Sequence, residues 1–170
     1  MKYPLVLVAL LILSSARGQE TIPPTDHFSI EGKVKKRVEI GTADLATFPV
    51  VTLDSVVITN HLRQRKGVLM NVKGALLKDV LARAVIDADD VKILSRFYIV
   101  CIASDNYKVV FSWNELFNSE TGDHVLVITE KDGKKLAEMA DRIALLSPTD
   151  LATGRRFLKG LKSIVIEEVN

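Results

Sequence analysis

Apolar and polar positions follow three different patterns along this chain. The first is an unbroken apolar run of nine residues, Leu5 to Leu13 (LVLVALLIL), close to the N-terminus. The second is a series of short, strand-like segments separated by polar punctuation. His27–Val34 and Arg37–Ile40 read as strands around a basic turn holding Lys33, Lys35 and Lys36. Val50–Thr59 is rich in β-branched residues, Asn60 to Lys66 is a polar hairpin loop, and Gly67–Val72 is the returning strand. Phe97–Ala103 is continuously apolar and reads as a central strand, followed by a turn at Asp105-Asn106. Tyr107–Phe111 follows, with Tyr107, Val109 and Phe111 on one face. His124–Thr129, Arg142–Leu146 and Lys162–Glu168 complete the strands, with a turn at Asp132-Gly133.

The third pattern is helical and occurs clearly once. In Ala75–Ala84 the apolar residues Leu76, Leu77, Val80, Leu81 and Ala84 form a stripe, while Lys78, Asp79 and Arg83 take the other side. Thr42-Ala43-Asp44-Leu45 predicts one helical turn capped by Thr42, and Asn114–Phe117 a second short helix. No internal repeat interrupts this order. Many strands with short helices give an α+β, mostly β single domain spanning 27–170.

The N-terminal run changes what the rest of the chain is expected to be. Lys2 precedes it, and Ser14, Ser15 and Ala16-Arg17-Gly18 follow. A charged start, a short apolar core and a small-x-small triplet are the three parts of a secretory signal. Nine apolar residues are too few to cross ~30 Å of hydrocarbon, which takes about 20 helical residues. The chain is therefore expected to lose residues 1–18 and to work in the periplasm or as a secreted protein, with Gln19 to Asp26 as a flexible lead-in. No later stretch is long enough to span a membrane.

Removal of that segment also changes the charge. It carries Lys2 and Arg17 and no acid, so 23 basic residues become 21 against 21 acidic ones. A neutral mature chain argues against a nucleic-acid binder. The single cysteine, Cys101, has no partner for an internal disulfide and sits in the apolar run of the central strand, where a small buried hydrophobe is expected. His27, His61 and His124 are far apart and match no metal-ligand spacing. Asp89-Asp90 and Glu167-Glu168 read as solvated charge. There is no Gly-rich phosphate loop, nucleophile elbow or metalloprotease motif. The most suggestive segment is Gly154-Arg155-Arg156-Phe157-Leu158-Lys159, where three basic residues stand beside a glycine. Such a segment either binds a phosphate or forms a solvated basic loop.

The order of motifs from Phe28 to Val169 resembles the oxidoreductase molybdopterin-binding domain, the sulfite-oxidase-like family, in its small exported single-domain form. Ser29-Ile30-Glu31-Gly32-Lys33-Val34 resembles the opening strand and Gly-x-Val turn. Ala43-Asp44-Leu45 through Pro49 resembles the "DL…P" turn, and Lys73 to Leu81 the "GVPL..LL" helix entry. Asp105-Asn106-Tyr107 stands for "DGY", Asp132-Gly133-Lys134-Lys135-Leu136 for "DGxPL", and Arg142 to Pro148 with Arg156-Phe157-Leu158-Lys159 for the closing motif. The resemblance implies a molybdopterin-binding fold and a pterin site at Arg156, Lys159 and Tyr107. It also implies a molybdenum-ligating cysteine before the "GVPL" helix, where this chain reads Val57-Ile58-Thr59-Asn60-His61. The family's histidine before the closing strand is replaced by Met139-Ala140-Asp141.

The expectation is an exported domain of this fold without redox catalysis, binding a small anionic or pterin-like ligand or a protein partner. A molybdopterin-dependent oxidoreductase domain and a periplasmic interaction module remain the alternatives. The exported protein is predicted to begin at Gln19, and the intact mass of the secreted product tests this. A mass that still includes residues 1–18 contradicts it.

Overall fold

The structure is a computed structural model and describes residues 22–169. The expected signal segment and the lead-in residues 19–21 lie outside the described residues. The remainder of the lead-in is laid against the domain: Ser104 Oγ donates to the Pro23 carbonyl at 2.6 Å, and Thr25 bridges to Arg142.

Alternating apolar residues build two sheets. The first contains β1 (His27–Gly32), β2 (Val38–Gly41), β5 (Phe97–Ala103), β6 (Lys108–Ser112) and β11 (Leu161–Glu168), in the order β2-β1-β11-β5-β6. The second contains β3 (Val51–Thr59), β4 (Arg65–Leu76), β7 (Leu126–Lys131), β9 (Ala144–Leu146) and β10 (Phe157–Lys159), in the order β10-β9-β7-β4-β3, with β8 (Lys134–Lys135) paired to β7. Three short helices, α1 (Thr42–Leu45), α2 (Leu77–Leu81) and α3 (Trp113–Phe117), and several 3-10 turns connect the strands. The result is a mixed, mostly β single domain, as the strand pattern predicts.

One face of the first sheet meets one face of the second across the main core. Phe28, Ile30, Ile99, Cys101, Phe111, Ile164 and Ile166 come from the first sheet, and Ala75, Val127, Leu145 and Leu158 from the second. The opposite face of the second sheet carries a smaller cluster of Val56, Val72, Leu126, Ile128, Ala144 and Leu146. In β5 the burial alternates strictly, so the continuous apolar run does not mean burial on both faces. Its Phe97, Ile99, Cys101 and Ala103 face the core, while Tyr98, Val100 and Ile102 are half-buried on the outer face. Burial pushes the Cys101 thiol up to about 12, so it stays protonated.

The first sheet closes by a parallel pairing of β1 with β11, Ser29 opposite Ser163 and Gly32 opposite Ile166. Gly32 is required where β1 leaves the sheet. Its φ is +90°, and a Cβ there would stand 2.2 Å from the Ile166 carbonyl oxygen.

Four local expectations are corrected by pairing. The helix expected from Ala75 begins at Leu77, because Gly74, Ala75 and Leu76 are captured by β7 opposite Ile128, Val127 and Leu126. The apolar stripe is nonetheless real over Leu77, Val80, Leu81 and Ala84, all buried. Thr42 is the first helical residue rather than the cap. Gly41 stands at the cap, and its N–H donates to Asp44 Oδ2 at 2.8 Å. Tyr107 lies outside β6 in the turn after Asn106, whose φ is +67°, and is 44% exposed while Val109 and Phe111 are buried. Glu168 is ion-paired to Lys33 and Arg96, and Glu167 accepts the Tyr98 hydroxyl, so this pair is bonded rather than simply solvated.

The helix assignment predicts an asymmetry between two neighbouring positions. Leu81→Ala should destabilise the domain by roughly 2–5 kcal/mol through lost burial and a cavity. Lys78 pairs with Asp123 on the exposed side, and Lys78→Ala should cost less than about 1 kcal/mol. Chemical denaturation of the two variants measures both, and equal losses contradict the assignment.

Candidate functional site

Of the expected site residues, Tyr107 lies in the turn before β6, Arg156 in the 3-10 turn before β10, and Lys159 at the end of β10. Ser112-Trp113-Asn114-Glu115 is a capping box: Glu115 N donates to Ser112 Oγ at 3.1 Å and Ser112 N to Glu115 Oε2 at 3.0 Å. This fixes Glu115 at the start of α3 and leaves its other oxygen free. That oxygen, Oε1, accepts from Arg156 Nη1 at 2.9 Å. On its other side Arg156 forms a bidentate pair with Asp150, Nε to Oδ2 at 2.8 Å and Nη2 to Oδ1 at 2.6 Å. Ser147 Oγ also donates to Asp150 Oδ1, at 2.8 Å, and the guanidinium lies 4.3 Å from the centre of the Phe111 ring.

Arg156 thus gives three of its five N–H donors, one from each nitrogen, to carboxylates of the protein. Its hydrogen bond to Asp150 raises the guanidinium further above its ordinary value. Burial pushes the Asp150 carboxyl up, but hydrogen bonds from Arg156 and Ser147 outweigh burial and hold it below the usual carboxylate range. A guanidinium whose charge is already met by two carboxylates, with its Nε/Nη2 edge closed on Asp150, is a poor anchor for an external phosphate.

Tyr107 and Lys159 stand in separate places. Lys159 is exposed, 5.3 Å from the centre of the Phe157 ring, which Lys131 also approaches at 5.2 Å. It borders a groove of about 830 Å³, together with Pro23, Pro24, Lys134, Met139 and Asp141. In that groove Lys131 is paired to Asp141 at 2.6 Å. Tyr107 borders a different, open groove of about 570 Å³ with Ile58, His61, Lys66, Gly154 and Arg155. The three residues expected to act together therefore do not share one pocket.

The Tyr107 groove contains groups that sequence reasoning passed over. The Tyr107 hydroxyl donates to the Arg155 carbonyl at 2.5 Å and holds the 3-10 turn Thr153–Arg156 in place. That turn also rests on β3: Thr59 N donates to Thr153 Oγ1 at 2.9 Å, and Thr153 Oγ1 donates to the Val57 carbonyl at 2.8 Å. Gly154 permits this approach, since a Cβ would lie 2.5 Å from the Thr59 carbonyl oxygen. Arg155 and Lys66 are exposed and have no ion-pair partner among the described residues. The legible signal for Arg155 was the Arg155-Arg156 doublet, and register decides that the first of the two faces out.

The group that the resemblance implies, molybdenum on a thiolate with a pterin on basic residues, does not fit the residues present. After β3 the chain offers Thr59, Asn60 and His61. Asn60 Oδ1 accepts from Leu62 N at 2.9 Å and Gln64 N at 3.0 Å, and Thr59 is tied to Thr153. Cys101 is in the core of the other sheet, and no cluster of three metal-binding side chains occurs among the described residues.

The fold and its connections define a two-sheet, mostly β domain with an open groove bordered by Lys66 and Arg155. No family model matches the chain, and no curated protein matches it in sequence. Among solved structures it is similar to the sulfane dehydrogenase SoxCD from Paracoccus pantotrophus, with a TM-score of 0.60 and 15% identity. The match covers 84% of this chain and 38% of that one, so this chain spans well under half of the dehydrogenase chain it matches. At that identity the likeness shows a distantly related fold.

The Arg156 clamp predicts a definite pH response. Asp150 has a depressed folded value, so its stabilisation is fully present above its unfolded value near 3.8 and is lost as pH falls through the folded value. Arg156→Ala should cost about 2–3 kcal/mol at pH 7, a buried-pair loss discounted for residual solvent contact. Its acid unfolding should also move to higher pH than wild type. Urea titrations between pH 7 and 3 measure both, and an unchanged acid limb contradicts the assigned role.

Proposed function

We propose that the chain is an exported binding domain of the sulfite-oxidase-like, molybdopterin-binding fold that takes a small, flat anion in the Tyr107 groove and performs no redox catalysis. The observation that carries this reading is the make-up of the groove. Tyr107, Lys66 and Arg155 meet over the end of β3, where the resemblance puts the metal-binding thiolate and this chain has Thr59, Asn60 and His61. Arg155 supplies a planar fork for phosphate or carboxylate, Lys66 a point charge, and Tyr107 an apolar body beside a polar tip. The ordered motifs along the chain and the distant fold likeness to a dehydrogenase support the fold part of the proposal. Of the residues expected from sequence, Tyr107 stays in the proposed site. Arg156 becomes the strut behind the Arg155 turn, and Lys159 stands apart beside Phe157.

Pyrophosphate and flavin mononucleotide serve as the minimal and the flat probe. Each should raise the melting temperature with concentration, as mass action requires for a ligand of the folded state. Lys66→Ala with Arg155→Ala should abolish the shift and leave the unliganded melting temperature nearly unchanged. No shift with either probe in the wild type overturns anion binding in this groove. Stoichiometric molybdenum and pterin in protein exported from a host that makes molybdopterin overturns the non-redox part and favours the oxidoreductase reading.

A further inference from the structure

The β3–β4 hairpin reaches beyond the sheet that carries it. β4 pairs with β7 only from Lys73 to Leu76, and the Asp132 turn closes the next position, where Met70 N donates to Asp132 Oδ1 at 2.8 Å and Met70 O accepts from Asp132 N. Before Met70, β4 has β3 as its only strand partner among the described residues. The hairpin therefore ends in a two-stranded arm. The arm has an unusual composition: from Ser55 through Val72 there is no Asp or Glu, and the loop carries His61, Arg63, Arg65 and Lys66. Every residue from His61 to Gly67 is exposed. None of these side chains is in an ion pair among the described residues.

The same tip exposes apolar side chains. Leu62 stands at the apex of the loop and is 63% exposed. Leu151, 70% exposed, lies beside the foot of the loop, where Thr59 Oγ1 donates to the Leu151 carbonyl at 3.4 Å. Arg155 adds a further free cation across the Tyr107 groove. In a chain whose mature charge is near zero, this concentration at one projecting end is a local device and not a general property.

We propose that the hairpin tip docks the protein on an anionic membrane surface, with Leu62 and Leu151 entering the interface and Arg63 and Arg65 meeting lipid phosphates. An exposed Leu62 beside Arg63 and Arg65 in the loop, with Leu151 exposed at the foot of the loop, matches a soft interface that accepts each apolar side chain separately. A protein partner would instead have to supply a shaped pocket for each. The inference goes beyond the anion-binding groove and does not depend on it, since Arg63, Arg65 and Leu62 are not among that groove's lining residues.

Vesicle co-sedimentation of the purified exported protein tests the inference, with phosphatidylcholine alone compared with phosphatidylcholine containing phosphatidylglycerol. Binding should require the anionic lipid and fall steeply in high salt. Arg63 has a φ of +60°, so Arg63→Asn, which suits that backbone, and Arg65→Gln are the charge-removing changes. Each should weaken partitioning about fivefold, the factor that corresponds to ~1 kcal/mol per cation. Leu62→Ser should weaken it separately, and all three should leave the melting temperature and the pyrophosphate shift unchanged. Absence of vesicle binding, equal binding to the neutral lipid, or binding that these variants do not alter overturns the proposal. So does capture of the tip by an acidic peptide in place of vesicles.

Discussion

Arg156 is the interaction on which the arrangement of this domain depends. The two sheets are held face to face by a shared core, and no strand ladder joins them among the described residues, so Arg156 adds a polar tie between their connections. One guanidinium joins α3, the segment after β9 and the entry to β10 by holding Glu115 and Asp150 together over the ring of Phe111. The geometry is bidentate on one side and single on the other, and the acids are themselves fixed, Glu115 by its capping box and Asp150 by Ser147. A part-buried charge of this kind is tolerable because two carboxylates meet it through three hydrogen bonds. The same pairing commits Arg156 to the protein interior, while its neighbour Arg155 faces solvent.

That division of labour between adjacent arginines explains the character of the groove. The 3-10 turn that carries them is pinned from three sides: by the Tyr107 hydroxyl, by Thr153 on β3, and by Arg156 itself. The pinned turn sets Arg155 across the groove from Lys66 of β4, and neither cation is ion-paired among the described residues. The likeness in fold to a dehydrogenase accounts for the scaffold, while the side chains at the end of β3 determine what the scaffold can hold.

Much of the framework was legible before the structure was known. β5 could be read to its boundary residues because its apolar run is flanked by Arg96 and Ser104. The Asp132-Gly133 turn was equally clear, since both residues adopt positive φ in the structure, +53° and +73°. The first turn of α2 was misread because its apolar spacing suits a helix and a strand alike, and only the partner strand β7 decides between them. The site was the least legible part. Asp150 lies six residues from Arg156 and Glu115 lies 41 away, and no periodicity links them. The basic segment could be recognised as chemically unusual, yet which of its cations faced inward depended on contacts between distant connections.

The parallel pairing of β1 with β11 has a consequence for how the molecule comes into being. The partners Ser29 and Ser163 are 163 − 29 = 134 residues apart, and β11 lies between β1 and β5 in the middle of its sheet. A growing chain that has not yet made Leu161–Glu168 therefore has a gap at the centre of that sheet, with β1 and β5 unable to meet. Closing a loop of this length late, and not nucleating at the N-terminus, makes folding slow and all-or-none for the first sheet. β11 acts as the keystone, so loss of Leu161–Glu168 would disable the whole sheet and not merely shorten its edge.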